Sequence, residues 1–103
     1  MSNEPVQAST DPRTAKVLLA NKVGLHARPS VKLTQLAKGF ASSVELALDP
    51  AGPWTDAKSP MKVMRVKAPQ GATLYFRVAG PDADAALNAM VGLVERRFDE
   101  SDG

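Results

Sequence analysis

Between Lys16 and Phe40 the chain changes its hydrophobic period once, and a glycine, a histidine and a proline mark the change. Lys16-Val17-Leu18-Leu19-Ala20 is a short aliphatic run of strand type. Beyond it, Leu33, Leu36, Ala37 and Phe40 fall at i, i+3, i+4 and i+7, one face of a helix. The stretch between, Asn21-Lys22-Val23-Gly24-Leu25-His26-Ala27-Arg28-Pro29-Ser30, must carry a strand exit into a helix start. Pro29 suits the first helical turn, where a missing N–H costs no hydrogen bond. His26, the single histidine of 103 residues, is therefore predicted at or next to the helix N-cap.

That position suits a group that must hold a phosphoryl. The first N–H groups of a helix lack internal partners and form its positive dipole end, which favours an anion. Arg28 adds a permanent cation able to bridge phosphate oxygens. Gly24 and Pro29 shape the stretch. A lone histidine beside a turn is also what a solvated surface residue looks like, and on these residues alone both readings stand.

The remaining elements follow in order. Thr14–Ala20 reads as the first strand, and Ala27–Lys38 as a helix that Gly39 stops in a left-handed conformation. Ser43–Leu48 alternates, with Val44, Leu46 and Leu48 predicted inward and Glu45 and Ala47 outward. Asp49-Pro50-Ala51-Gly52-Pro53 is turn chemistry, and Trp54–Ala57 a short third strand. Ser59-Pro60 reads as N-cap and first position of a short helix, Met61–Lys67, closed by Pro69 and Gly71. Thr73–Ala79 alternates as a fourth strand. Asp82–Phe98 is the longest helix, with Ala83, Leu87, Met90, Val91, Val94 and Phe98 at helical spacing. Asp82 and Asp84 in its first turn and Arg96 and Arg97 in its last match the helix dipole. The order β-α-β-β-α-β-α, with single apolar stripes, predicts an α/β (α+β) open-faced sandwich. Its four-stranded antiparallel sheet carries three helices on one face.

Composition excludes several classes. The length supports one domain, read as residues 14–98 between disordered tails at 1–13 and 99–103. Without cysteine there is no disulfide framework, thiol catalysis or Cys-based zinc site, and one histidine rules out a His-rich metal cluster. No apolar run reaches the roughly 18–20 residues of a membrane span, and the first 13 residues lack a signal-peptide layout. A cytoplasmic chain is expected. Residues 14–98 hold 12 Lys and Arg against 6 Asp and Glu, a charge of +6, which suits an acidic or phosphorylated partner. Five aromatics are few for nucleic-acid stacking, and no nucleic-acid partner is expected.

Gly24-Leu25-His26-Ala27-Arg28-Pro29, followed by Lys58-Ser59 opening a Met-containing helix, resembles the signature of the HPr family. These are the histidine-containing phosphocarriers of the bacterial phosphoenolpyruvate-dependent phosphotransferase system. The resemblance spans about Thr14 to Phe98 and includes Gly39-Phe40-Ala41 and the closing helix. It implies the HPr-like βαββαβα fold and a monomer without cofactor or metal. It also implies a covalent relay, in which His26 takes a phosphoryl on Nδ1 from phosphorylated Enzyme I and passes it to a histidine of an EIIA domain. Arg28 would steady the phosphoryl oxygens.

Met61 and Met64 would, in the common case, fill core gaps. Their neighbours Lys58, Lys62, Arg65 and Lys67 favour exposure of at least one, as adaptable apolar contacts inside a basic rim. In the family this short helix is the partner-binding surface. Ser59 resembles the serine that some members phosphorylate to shut off transfer from Enzyme I, through a kinase and phosphorylase, and it is equally a good N-cap. Two departures stand out. Pro60 replaces a usual aliphatic residue, and the loop Asp49–Trp54 is longer and richer in proline, a surface change expected to be tolerated. A carrier feeding sugar uptake, a regulatory relay uncoupled from transport, and a non-phosphorylated binding module remain as readings. The Met start and acidic-leaning tails favour a free-standing chain, with a piece of a larger multiphosphoryl-transfer protein as the alternative.

Overall fold

The computed structural model describes residues 12–100. Its elements are β1 (Arg13–Leu18), α1 (Ala27–Lys38), β2 (Ser43–Ala47), β3 (Thr55–Asp56), α2 (Pro60–Val66), β4 (Thr73–Ala79), α3 (Ala83–Glu95) and a 3-10 turn at Arg97–Asp99. The strands form one antiparallel sheet in the order β1-β4-β2-β3. The expected open-faced sandwich is the observed fold.

Alternation on β4 decides which face is covered. Leu74, Phe76 and Val78 are fully buried, and their cross-strand partners Val17, Val44 and Leu46 point the same way. The helices bury Leu33 and Ala37 of α1, Val63 of α2, and Ala86, Met90 and Val94 of α3 in the same core cluster. Removing this much aliphatic surface from water is the dominant stabilising term, at about 25 cal/mol per Å².

Several local expectations give way to tertiary structure. Gly39 is right-handed (φ −75°), its N–H donating to the Leu36 carbonyl at 3.0 Å as the helix turns off. Leu48 is not inward: β2 ends at Ala47, the turn from Asp49 follows, and Leu48 is exposed. Ala47, predicted outward, is buried although it lies opposite Tyr75 on the open face. The reason is the long loop, which folds back over that face. Pro50 and Trp54 share a cleft with Lys16 and Tyr75, and the Trp54 ring lies 4.3 Å from the Arg77 guanidinium. The third strand shrinks to Thr55–Asp56, with Ala57 fully buried and its N–H donating to Val44 at 2.8 Å.

Asp82 does not cap its own helix. Its carboxylate accepts from the amides of Ala41 and Ser42, each at 2.9 Å, and from the Ser42 hydroxyl, tying the α1–β2 connection to the head of α3. These hydrogen bonds, the Ser42 hydroxyl's first, hold its carboxyl below the ordinary aspartate value. At the other end α3 stops at Glu95, so Arg96 and Arg97 are not its last turn. Arg97, Phe98 and Asp99 are all left-handed, and Phe98 is buried from that reversal rather than from the helix. Arg13 opens β1, and Asp99 and Glu100 belong to the folded part, so these three are not tail residues. Apart from Pro12, which is exposed, the rest of both expected tails lies outside the described residues.

Candidate functional site

The approach to His26 is a loop closed on itself and strapped to the far end of α2. The Gly24 N–H donates to the Asn21 carbonyl at 3.2 Å, and the buried Asn21 amide donates back to the Gly24 carbonyl at 2.8 Å. Leu25 N–H donates to the Ala68 carbonyl at 2.9 Å, and the Leu25 carbonyl accepts from the Ser30 hydroxyl at 3.2 Å. Both backbone groups of the residue before His26 are thereby fixed. Gly24 has φ +63°, and a Cβ there would stand 2.2 Å from the Ala68 carbonyl oxygen. Only glycine combines that conformation with that approach.

His26 is the N-cap residue of α1, in extended conformation, exposed, and its imidazole makes no cap hydrogen bond. Its carbonyl accepts the first helical bond, from Ser30 N–H at 2.9 Å. Pro29 is buried in the first turn. Among the described residues, the N–H groups of Ala27 and Arg28 donate to no backbone carbonyl outside the helix, and the first turn holds no acid. An exposed ring, free of partners, therefore stands at the positive end of a 12-residue helix.

Arg28 is exposed beside it, but not idle. Its Nη2 lies 3.1 and 3.2 Å from the two carboxylate oxygens of Glu100, a carboxylate that Lys32 also engages. Lys32 further donates to the Phe98 carbonyl at 2.8 Å. The hydrogen bond from Lys32, and then the charge of Arg28, hold the Glu100 carboxyl below its usual range against the opposing effect of desolvation.

The short helix α2 supplies the other wall. Ser59 is its N-cap, accepting from Lys62 N–H at 3.3 Å, and Pro60 is the first helical residue. Met61 and Met64 are both exposed, at 61% and 37%, so neither fills the core. Only Val63 of this helix is fully buried. Lys62, Arg65 and Lys67 are exposed and take part in no ion pair among the described residues. Lys58 instead donates to the Phe40 carbonyl at 2.8 Å, pinning the head of α2 to the end of α1. A cleft of about 380 Å³ runs from His26 and Leu25 to Met64, Lys67 and Pro69, so histidine, methionine and basic rim face one surface. Farther along, Lys62 and Arg65 border a second cleft of about 400 Å³ with Leu48 and Pro53 of the long loop.

Two residues at the site had no motif to announce them. Ala68 is an ordinary alanine until its carbonyl is seen to hold Leu25. Glu100 looks like part of a polar end. Its signal was Phe98, an apolar residue too large to leave in solvent, whose burial returns the following residues to the body of the protein. No cluster of three or more potential metal-ligating side chains occurs among the described residues, and no helix there is long and apolar enough to cross a membrane.

Several known proteins are similar to this chain over most of its length. The family model described as the PTS HPr component phosphorylation site matches residues 13–96. The phosphocarrier protein HPr of Cupriavidus necator is 44% identical over 84 residues, covering 82% of this chain and 92% of that protein. A multiphosphoryl transfer protein of Vibrio cholerae is 42% identical over 78 residues, 75% of this chain but 20% of that longer protein. The crystal structure of HPr-C-His from Thermoanaerobacter tengcongensis superposes with a TM-score of 0.79 at 31% identity, covering 86% of this chain and 98% of the other.

Proposed function

The chain belongs to the HPr phosphocarrier family of the phosphotransferase system, and from that premise we propose that His26 is its phosphoryl acceptor. The donor would be phosphorylated Enzyme I and the recipient a histidine of an EIIA domain. In the first transfer the Nδ1 lone pair of His26 forms a P–N bond while the donor's P–N bond breaks, and the donor ring keeps the electron pair. Onward transfer reverses these roles. The phosphoryl transition state needs in-line access and charge neutralisation more than acid–base work. The exposed ring offers the first; Arg28 and the free N–H groups opening α1 offer the second.

One observation above others supports the reading. The imidazole is exposed at the N-cap of α1 without a hydrogen bond to hold it, where a residue serving the helix would cap. Met61 and Met64, rimmed by Lys62, Arg65 and Lys67, suit docking to acidic partners that carry an apolar patch. Ser59, at the edge of that surface, is where added negative charge would weaken such docking. The role reads as phosphoryl relay in the cytoplasm by a monomer, serving sugar uptake or a regulatory EIIA.

Incubation with phosphoenolpyruvate, magnesium and Enzyme I, followed by intact mass, tests it. One acid-labile phosphoryl, absent in His26→Ala, is the expected result. No gain with the host's own Enzyme I would overturn the carrier reading in favour of a binding module.

A further inference from the structure

The sheet face that no helix covers is not bare. Lys16 and Tyr75 are cross-strand partners there, alternating along β1 and β4 with the buried Val17, Leu74 and Phe76. The long loop brings the chain's one tryptophan, Trp54, beside them. Thr14, Ala15, Lys16, Pro50, Trp54 and Tyr75 line a cleft of about 370 Å³. Neither His26 nor any residue of α2 borders it.

Its aromatic wall is held in place before anything binds. The Trp54 ring lies 4.3 Å from the Arg77 guanidinium, and Nε and Nη2 of Arg77 each hold a Glu45 oxygen at 2.8 Å. The loop is closed by the Gly52 N–H on the Asp49 carbonyl and the Ala51 N–H on the Asp49 carboxylate, both at 2.8 Å. Gly52, at φ +90°, leaves the indole its room, since a Cβ there would stand 2.9 Å from Trp54 Cδ1. Rings already ordered cost little further entropy on binding.

Charge decides what such a cleft takes. The acids beside it are engaged, Glu45 by Arg77 and Asp49 by its own loop. Lys16 is the one charged residue lining the cleft; it is exposed and takes part in no ion pair among the described residues. We propose that this cleft is a binding site for a small aromatic carboxylate, its ring against Trp54, Tyr75 and Pro50 and its carboxylate at the Lys16 ammonium. A neutral ring leaves the ammonium unanswered, and an aliphatic acid gives up the stacking. The volume stands at the small end of ligand pockets, which suits one or two fused rings. The site is open whether or not His26 carries a phosphoryl.

The single tryptophan gives the full chain one indole N–H signal, so proton–nitrogen NMR during titration with naphthoate reads the cleft directly. A saturable shift of that signal and of the Thr14, Lys16 and Tyr75 amides is expected, with the Met61 and Met64 amides unmoved. Naphthamide, the same rings without the charge, should bind about two- to fivefold more weakly. Cyclohexanecarboxylate, the charge without aromatic rings, should also bind more weakly than naphthoate. Lys16→Gln, a change at an exposed side chain, should bring naphthoate and naphthamide to equal affinity. A titration without saturable shift, shifts spread over the α2 surface, an amide or an aliphatic acid that binds as tightly as naphthoate, or a preference for the acid that survives Lys16→Gln overturns the inference.

Discussion

The N–H of Leu25 donates to the carbonyl of Ala68 at 2.9 Å, tying the residue before His26 to the segment that follows α2. The two walls of the site are thus joined through backbone rather than side chains. Gly24 makes this possible, because its missing Cβ leaves room for the Ala68 carbonyl.

Gly24→Ala should therefore damage fold and site together. The left-handed conformation alone costs about 1–2 kcal/mol for a residue with a Cβ, and the 2.2 Å approach to backbone adds to it. Thermal unfolding should show a loss above that range, with slower phosphorylation of the folded fraction. A variant as stable as wild type would mean the strap is not rigid.

Asp82→Asn tests the tie between Ser42 and the head of α3. The folded-state value of Asp82 is depressed, so its ionised form contributes stability above the ordinary value of 3.8, and loses it as the pH falls through the depressed value. Asparagine should lower the melting temperature near neutral pH, with the deficit shrinking below about pH 4. A deficit equally large at low pH would assign the effect to packing instead of charge.

Ser59 separates fold from docking. Ser59→Ala removes the acceptor for Lys62 N–H and should cost about 1 kcal/mol. Ser59→Asp keeps a capping oxygen and should preserve the melting temperature while weakening association with Enzyme I. Titration calorimetry of both variants distinguishes these effects, and an aspartate variant that binds like wild type would remove Ser59 as a control point.

Lys62→Glu with Arg65→Glu should leave the fold intact, since both side chains are exposed and unpaired among the described residues. The rate of phosphorylation by low concentrations of Enzyme I should fall about tenfold or more at low salt, and the gap to wild type should narrow as salt screens both. A gap independent of salt would point away from electrostatic docking.

Much of this arrangement was legible in the chain. The change of period around His26, the Ser59-Pro60 start and the alternation of Thr73–Ala79 each rest on local physics, and each appears as expected. The misreadings share another cause. Asp82, Gly39 and Phe98 sit at element ends, where a partner distant in sequence outweighs local preference. Asp82 serves Ala41 and Ser42 instead of its own helix, and Phe98 leaves the helix to remain buried. Glu100 was invisible for the same reason: its partners lie about seventy residues away. The long loop was read as neutral surface, and its contact with Arg77 through Trp54 depends on a register that no local pattern encodes.

The most direct test of the central claim is nitrogen NMR of the His26 ring, before and after phosphorylation by Enzyme I. A phosphorus coupling confined to Nδ1 of this single imidazole, lost on onward transfer to an EIIA domain, is the predicted result. Coupling at Nε2, or phosphate gained with no change in either ring nitrogen, would contradict it.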